Sequence, residues 1–344
     1  MKSTAASGKG QGPVVGAKAP AAGPLPERPK STRRVSDQTR KRGEIALFVG
    51  PALAMFLVFV VYPVFSAVRY SFYKWNGVEQ FGDAEFIGLD NYRRALFGQG
   101  IFKTAYTDPL MTAIGHNFAV IGLSMAIQLP LALIVALILN RKFRGRTVAR
   151  VIIFAPYVLS EVITGVMWYV ILDPNGIATR IFTNLHLPIP AGGWFEDPTW
   201  GFWVVFFIIT WKYLGLAIIL FLAGLSGVPQ ELQEAAQIDG ASWWQVQRRI
   251  NVPLIGPTIR IWAFLSIIGS IQLFDMVWVL NQGGASNQYS TVATYMMDQG
   301  FYRNDWGYGS AIAVIMFVIS ITVAMAYLLT ILRRDNSAKP QEGR

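Results

Sequence analysis

The chain has 344 residues, of which 53% are hydrophobic and only 15% charged; it carries a net charge of +10 and no cysteine. Soluble domains hold about 25% charged residues, so this balance sets the chain apart from them, and the missing cysteines exclude disulfides, thiolate metal sites and a cysteine nucleophile. The positive charge does not indicate nucleic acid as a partner, because the basic residues gather beside the apolar runs, as membrane flanks do.

Residues 1–43 are rich in Ala, Gly, Pro, Ser and basic residues and contain almost no large apolar ones. Such a segment buries too little surface to offset its ordering entropy, so it is expected to be a disordered basic tail, its arginines resting on anionic lipid headgroups. It is not a secretory signal, since the apolar run that follows is too long and lacks a small-residue cleavage site. Six stretches then reach the roughly 20 residues needed to cross a hydrocarbon core, at 45–68, 118–139, 151–172, 202–225, 261–280 and 310–332. Backbone groups in lipid must be satisfied within their own segment, and the alternation of a membrane β-barrel is absent, so these spans are expected to be helices. The expected organisation is a tail (1–43), a first helix with an external segment (44–112), a transmembrane core of five helices (113–332) and a second tail (333–344).

Loop charges predict the orientation. Arg141, Lys142, Arg144, Arg146 and Arg150 crowd the second connection without an acid, and the C-terminal end offers Arg333, Arg334, Lys339 and Arg344. The third connection has Arg180 and His186 against Asp173, Glu196 and Asp197, and the fifth has Arg303 against Asp298 and Asp305. The positive-inside rule therefore places both termini in the cytoplasm.

The fourth connection, also cytoplasmic by this rule, is built as a part with a purpose. Pro229 suits a first helical turn, Glu231 and Glu234 suit the positive end of a helix, and Asp239-Gly240 is a turn pair. Ser242 with Gln245 three residues on predicts a capping box for a second helix, which Pro253 and Pro257 are expected to end before the next span. Glu234-Ala235-Ala236, Asp239-Gly240-Ala241, Ile250, Pro253 and Pro257 together resemble the EAA loop of binding-protein-dependent ABC importers. Gln247 departs from that pattern, which often has Phe there.

The resemblance covers roughly residues 45–332. Tyr62-Pro63, the run Phe-Tyr-Lys-Trp-Asn-Gly at 72–77, the segment 86–96, the basic run 136–146, Phe274-Asp275, Asn281-Gln-Gly-Gly284, Thr291 and Tyr295 are similar to the carbohydrate-uptake permeases, and within them to the "F"-type subunit of maltose, glycerol-phosphate and oligosaccharide importers. The long external insertion of the enteric maltose subunit is absent. The resemblance implies a type I ABC importer permease fold, an all-α polytopic protein with six transmembrane helices in a bacterial or archaeal plasma (inner) membrane. It implies that loop 229–253 couples to a separate ATPase through Glu234, Ala235, Ala236, Asp239, Gly240, Ala241, Ile250 and Pro253. The partners it implies are a second, "G"-type permease, ABC ATPase subunits, an extracytoplasmic sugar-binding protein and a sugar substrate.

The chain is poor in reactive groups. His116 and His186 lie far apart, so no metal site is expected, and the absence of a phosphate-binding G-x-x-x-x-G-K-[ST] places ATP hydrolysis on a partner chain. No cofactor is expected, and the chain is read as a transport subunit rather than an enzyme. Glu161, Lys212 and Asp275 fall inside expected spans, where a charge marks a pathway or a buried pair; Lys212 and Asp275 are expected to neutralise one another. Trp168, Trp211, Tyr213 and Gln272 complete the candidate substrate pathway, because sugars are held by hydroxyl hydrogen bonds and by stacking on flat rings, although aromatics also serve as belt and packing residues. The rival class is a secondary transporter or channel working without an ATPase. Such proteins show internal repeats and intramembrane ion sites, and no clear repeat is visible here.

Overall fold

The structure, a computed structural model, describes residues 33–98, 109–141, 143–283 and 288–337. The chain divides at Val61/Tyr62 into two units. In the first, helix α1 (Arg33–Phe56) runs into a π-helical turn, Leu57–Val61. Residues 33–43 are thus helical, which corrects the expectation of disorder for that part of the tail. Between Arg33 and Arg42 there is neither Gly nor Pro, and Arg, Gln and Lys are good helix formers, so the helix continues outward from the apolar run. Residues 1–32 lie outside the described residues.

The second unit contains α2 (Tyr62–Tyr70), α3 (Asp90–Phe97), α4 (Pro109–Leu123), α5 (Leu129–Asn140), α6 (Arg146–Val158), α7 (Glu161–Ile171), α8 (Ile177–Asn184) and α9 (Gly201–Ser226). Then come α10 (Gln230–Ile238), α11 (Trp243–Val246), α12 (Val252–Leu254), α13 (Gly256–Ile271), α14 (Asp275–Leu280), α15 (Val292–Met297) and α16 (Trp306–Ser337). Four helical runs are long and apolar enough to cross a membrane: Leu47–Tyr70, Pro109–Asn140, Gly201–Ser226 and Trp306–Thr330. Two bent pairs bring the number to six among the described residues. The chain bends by 100° between Arg146–Val158 and Glu161–Ile171, and by 66° between Trp243–Leu254 and Gly256–Ile271.

Two expected spans therefore differ. The stretch 151–172 is broken at Leu159-Ser160, and α13 starts at Gly256 and stops at Ile271, with the chain turning through Gln272 and Phe274 before α14. Pro253 does not end its helix: it lies in the first turn of α12, and the break falls at Ile255.

Helix α9 is the centre of the second unit. One stretch of it packs Ala217, Ile218, Phe221 and Leu225 against Ala132 and Ala136 of α5 and Trp262 of α13. Its earlier turns pack Val205, Ile208 and Ile209 against Met276, Val277 and Leu280 of α14 and against Trp194 and Phe195. Close approach depends on small residues: a Cβ on Gly215 would stand 2.9 Å from the Ile153 carbonyl of α6.

The first connection is clasped to the start of α16. Strand β1 (Tyr73–Lys74) pairs antiparallel with β2 (Glu85–Phe86), Asn91 Nδ2 donates to Ser71 O at 2.9 Å and Tyr73 O at 3.0 Å, and Gly307 N donates to Trp75 O at 3.0 Å. A Cβ on Gly307 would sit 2.0 Å from Tyr73 O, a backbone atom that has no side-chain freedom to yield. Gly307→Ala is expected to destabilise the protein by about 3 kcal/mol, read as a lowered Tm in detergent. Gly122→Ala, whose Cβ meets nothing within 4 Å, should leave Tm unchanged or slightly raised.

Candidate functional site

Two features stand out: a helical hairpin that follows α9, and a small, largely apolar cavity between the helices with a few polar groups in its wall.

The hairpin closes by backbone geometry. Gly240 has φ +82°, its N–H donates to Gln237 O at 3.0 Å, and Ala241 N–H donates to Ala236 O at 2.9 Å. That pair of bonds is a Schellman motif, which ends α10 and satisfies its last carbonyls. Ser242 then opens α11 with the capping box expected of it: Gln245 N donates to Ser242 Oγ, and Ser242 N to Gln245 Oε1 at 2.7 Å. Glu234, Ala235, Asp239, Gly240 and Pro253 are exposed, while Ala236, Ala241 and Ile250 are half-buried. Glu234 accepts from Gln230 Nε2 at 2.6 Å, one turn earlier. Ile238, at the tip, is 86% exposed, an apolar side chain standing free beside the turn.

Gln247, the residue that departs from the family pattern, is buried. It accepts from Asn251 Nδ2 at 2.7 Å, and the same amide reaches Gln233 Oε1 of α10 at 3.4 Å. A polar clamp thus joins the two arms of the hairpin. Arg141, at the end of α5, places its guanidinium 5.1 Å from the centre of the Trp243 ring and ties the hairpin to the second connection.

The cavity, of about 120 Å³, lies between α4–α5, α9 and α13. Its polar lining is Ser124, Gln128, Tyr213, Ser266 and Ser270, with Trp262 as a flat wall. Gln128 is 2% exposed and lines this cavity, and its Nε2 has no hydrogen-bond partner. Among the expected pathway residues, Tyr213 lines this cavity. Trp168 and Trp211 sit edge to face 5.4 Å apart, Trp168 packing also on Phe207. Gln272 and Asp275 are exposed in the break after α13 and at the start of α14.

Lys212 and Asp275 do not pair. The Lys212 ammonium, 2% exposed, donates to Leu159 O at 2.5 Å, and the carboxylate acting on it is Glu161, which also accepts from the Tyr213 hydroxyl. The cause is the corner between α6 and α7. A continuous helix would give Leu159 O its own backbone donor; the break releases that carbonyl, and Lys212 fills the vacancy. Gln128, Ser124, Ser266 and Ser270 were passed over in the sequence; the signal that could have found them is a polar residue inside an otherwise apolar span.

Apolar helices long enough to cross a membrane, two of them bent pairs, with a capped hairpin after α9 and a small chamber beside it, define a multi-pass membrane transport subunit. The chain belongs to the family described as binding-protein-dependent transport system inner membrane component, whose model matches residues 128–337. A probable ABC transporter permease of Pyrococcus horikoshii is 32% identical over 83% of this chain and 94% of its own length. The arabinooligosaccharides transport permease AraP of Bacillus subtilis is 28% identical over 84% of this chain and 88% of its own. The trehalose/maltose transport permease MalF of Thermococcus litoralis is 29% identical over 82% and 91%. A bacterial ABC transporter for the acidic polysaccharide alginate shares the fold, with a TM-score of 0.72 at 20% identity over 88% of this chain and 99% of that one. The chain is thus an inner-membrane permease subunit of an ABC importer; ATP hydrolysis belongs to a separate ATPase.

Proposed function

We propose that this permease carries a neutral di- or oligosaccharide into the cytoplasm by alternating access. It does so beside a second "G"-type permease, with two ABC ATPase subunits and an extracytoplasmic binding protein. The observation that carries the reading is kinship with permeases named for oligosaccharides; the chamber around Tyr213 has no charged lining residue, which agrees with an uncharged solute, and at about 120 Å³ it has to widen during the transport cycle to pass one. The relatives named for arabinooligosaccharides, trehalose and maltose support the same class. Trp168 and Trp211 lie on the approach to the chamber, and Gln272 and Asp275 line the break in the helix beyond it; we assign them to the pathway with Lys212 as the residue that holds its corner.

The hairpin 229–253 is the coupling element. Exposed Glu234 and Ala235, with Ala236, Asp239, Gly240 and Ala241 around the turn, form a compact face that fits a cleft on the ATPase, while Ile250 and Pro253 fix the returning arm. Both termini and this hairpin lie on the cytoplasmic side, on the charge asymmetry of the loops. We keep the division into a basic tail, a first helix with its external segment, a five-helix core and a second tail, with the first helix starting at Arg33, α4 at Pro109 and α16 running to Ser337.

The test is affinity purification of the tagged chain from native membranes in mild detergent, with mass spectrometry of what accompanies it. A second six-span permease and an ATPase are expected, and the associated binding protein is then screened against neutral and acidic oligosaccharides. A chain recovered alone, as a homo-oligomer conducting without ATP, would sink the reading in favour of a secondary transporter or channel.

A further inference from the structure

At the end of α9 opposite the hairpin, the chain forms a second, larger pocket of about 610 Å³. Its walls come from the end of α7, the loop before α9 and the turn after α14. None of these residues belongs to the Tyr213 chamber.

The chemistry of this pocket is specific. Tyr169 and Phe195 stand parallel, ring centres 6.0 Å apart, and Tyr289 closes on Phe195 at 6.3 Å. Trp194 is held by its indole N–H on Thr179 Oγ1 at 2.9 Å. Asn281 lines the same pocket, and its Nδ2 and Oδ1 are both shielded from solvent and both without a hydrogen-bond partner. A buried amide with neither donor nor acceptor used is an unmet demand for a ligand that offers both. The next residue carries strain: Gln282, a non-glycine, has φ +54°, and its amide donates to the Tyr169 hydroxyl. Left-handed backbone at a non-glycine residue is uncommon and gathers at binding sites, where neighbouring contacts hold it. Burial, then the charge of Glu196 and the neighbouring Tyr169, pushes the Tyr289 phenol above its ordinary value, and its hydroxyl donates to Leu280 O at 3.3 Å.

We infer that this pocket is a saccharide subsite on the outer side of the permease, separate from the chamber within the helices, and selective for uncharged sugars. The volume falls within the roughly 300–1,000 Å³ of small-molecule sites. A hydroxyl both gives and accepts a hydrogen bond, which is what the Asn281 amide lacks, and the half-buried Tyr169 adds an apolar ring, with the buried rings of Trp194, Phe195 and Tyr289 as the floor behind it. Asp173 and Glu196 line the same pocket, so a uronate or sulfonate would meet like charge. A bound cation is a poorer match, because no group of three His, Cys, Asp or Glu side chains converges among the described residues. The inference rests on the saccharide reading above and adds a second place where the sugar is held.

The test uses the whole importer complex in nanodiscs, without its binding protein. Binding of maltotriose, arabinotriose, diacetylchitobiose and trigalacturonate is followed by saturation-transfer NMR, and uptake of the same four is measured in proteoliposomes with the binding protein added. One or more neutral probes should bind and trigalacturonate should not. Asn281→Leu removes an amide that has no partner to lose, so assembly and Tm should be retained while the Kd of the bound neutral probe rises at least tenfold. Gln282→Gly, which relieves the positive φ, should raise Tm and weaken the same binding. If neutral sugars are taken up but both variants bind them like wild type, the subsite is wrong and the saccharide reading stands. If the variants lose only their association with the binding protein, the pocket is a socket for that protein and the inference falls. If no probe of the four is bound or taken up, both readings fall together.

Discussion

Gly240→Val is expected to stop uptake while the protein still reaches the membrane and assembles. The turn holds Gly240 at φ +82°, and a Cβ there meets nothing within 4 Å, so the variant suffers from backbone conformation and not from collision. A left-handed conformation costs a residue with a Cβ about 1–2 kcal/mol, and for a β-branched residue it is a genuine outlier. Such a penalty lowers occupancy of the closed turn by roughly 5- to 30-fold. The bonds from Gly240 N to Gln237 O and from Ala241 N to Ala236 O would be lost together, and Glu234, Ala235 and Ala236 would no longer be presented as one face. Gly240→Asn is the control, because Asn visits the left-handed region at lower cost and should keep most of the activity. Transport by Gly240→Val at the wild-type rate would show that the hairpin does not couple. Degradation of the variant before assembly would show that the turn serves folding alone.

Lys212→Met is expected to destabilise the complex by about 2 kcal/mol and to lower uptake, because Leu159 O is left buried without a donor. Asp275→Asn should cost at most about 1 kcal/mol, the worth of a carboxylate at the start of a short helix. The double variant Lys212→Met with Asp275→Asn should be no better than Lys212→Met alone, since the two side chains do not meet. Thermal unfolding of the three proteins in nanodiscs decides this: recovery of Tm in the double variant would mean that the two charges balance after all.

Much of the architecture was legible in the residues. Six apolar stretches gave the membrane helices, because length and hydropathy depend on composition alone. The hairpin was legible almost to the residue, since Ser242 with Gln245 and the Asp239-Gly240 pair act within a few positions of themselves. What stayed hidden depends on the third dimension. The corner at Leu159-Ser160 lies within an unbroken apolar run, so hydropathy passes straight over it; Pro156 and the Ser160-Glu161 pair were its local traces. Not seeing that corner led to the wrong partner for Lys212. A buried ammonium needs an acceptor, and the sequence displays carboxylates, whereas a carbonyl freed by a broken helix is visible only once the helix is seen to break. The chamber was missed for a related reason. Ser124, Gln128, Ser266 and Ser270 are scattered over 146 positions, taking 270 minus 124 from the numbering, and only packing brings them to one wall.

Helix α9 also has a mechanical meaning. It runs unbroken for 26 residues, about 39 Å at 1.5 Å per residue, from the loop of Trp194 and Phe195 to the residues just ahead of the hairpin. A hydrogen-bonded helix shortens or bends little along its axis, so in the coupling proposed above a thrust that reaches Ser226 through the short link 227–229 arrives at Gly201 as displacement. Beside it, the sharp corner between α6 and α7 is tied to α9 by the bond from Lys212 to Leu159 O. The permease thus sets a straight strut beside a bent one, joined at the bend.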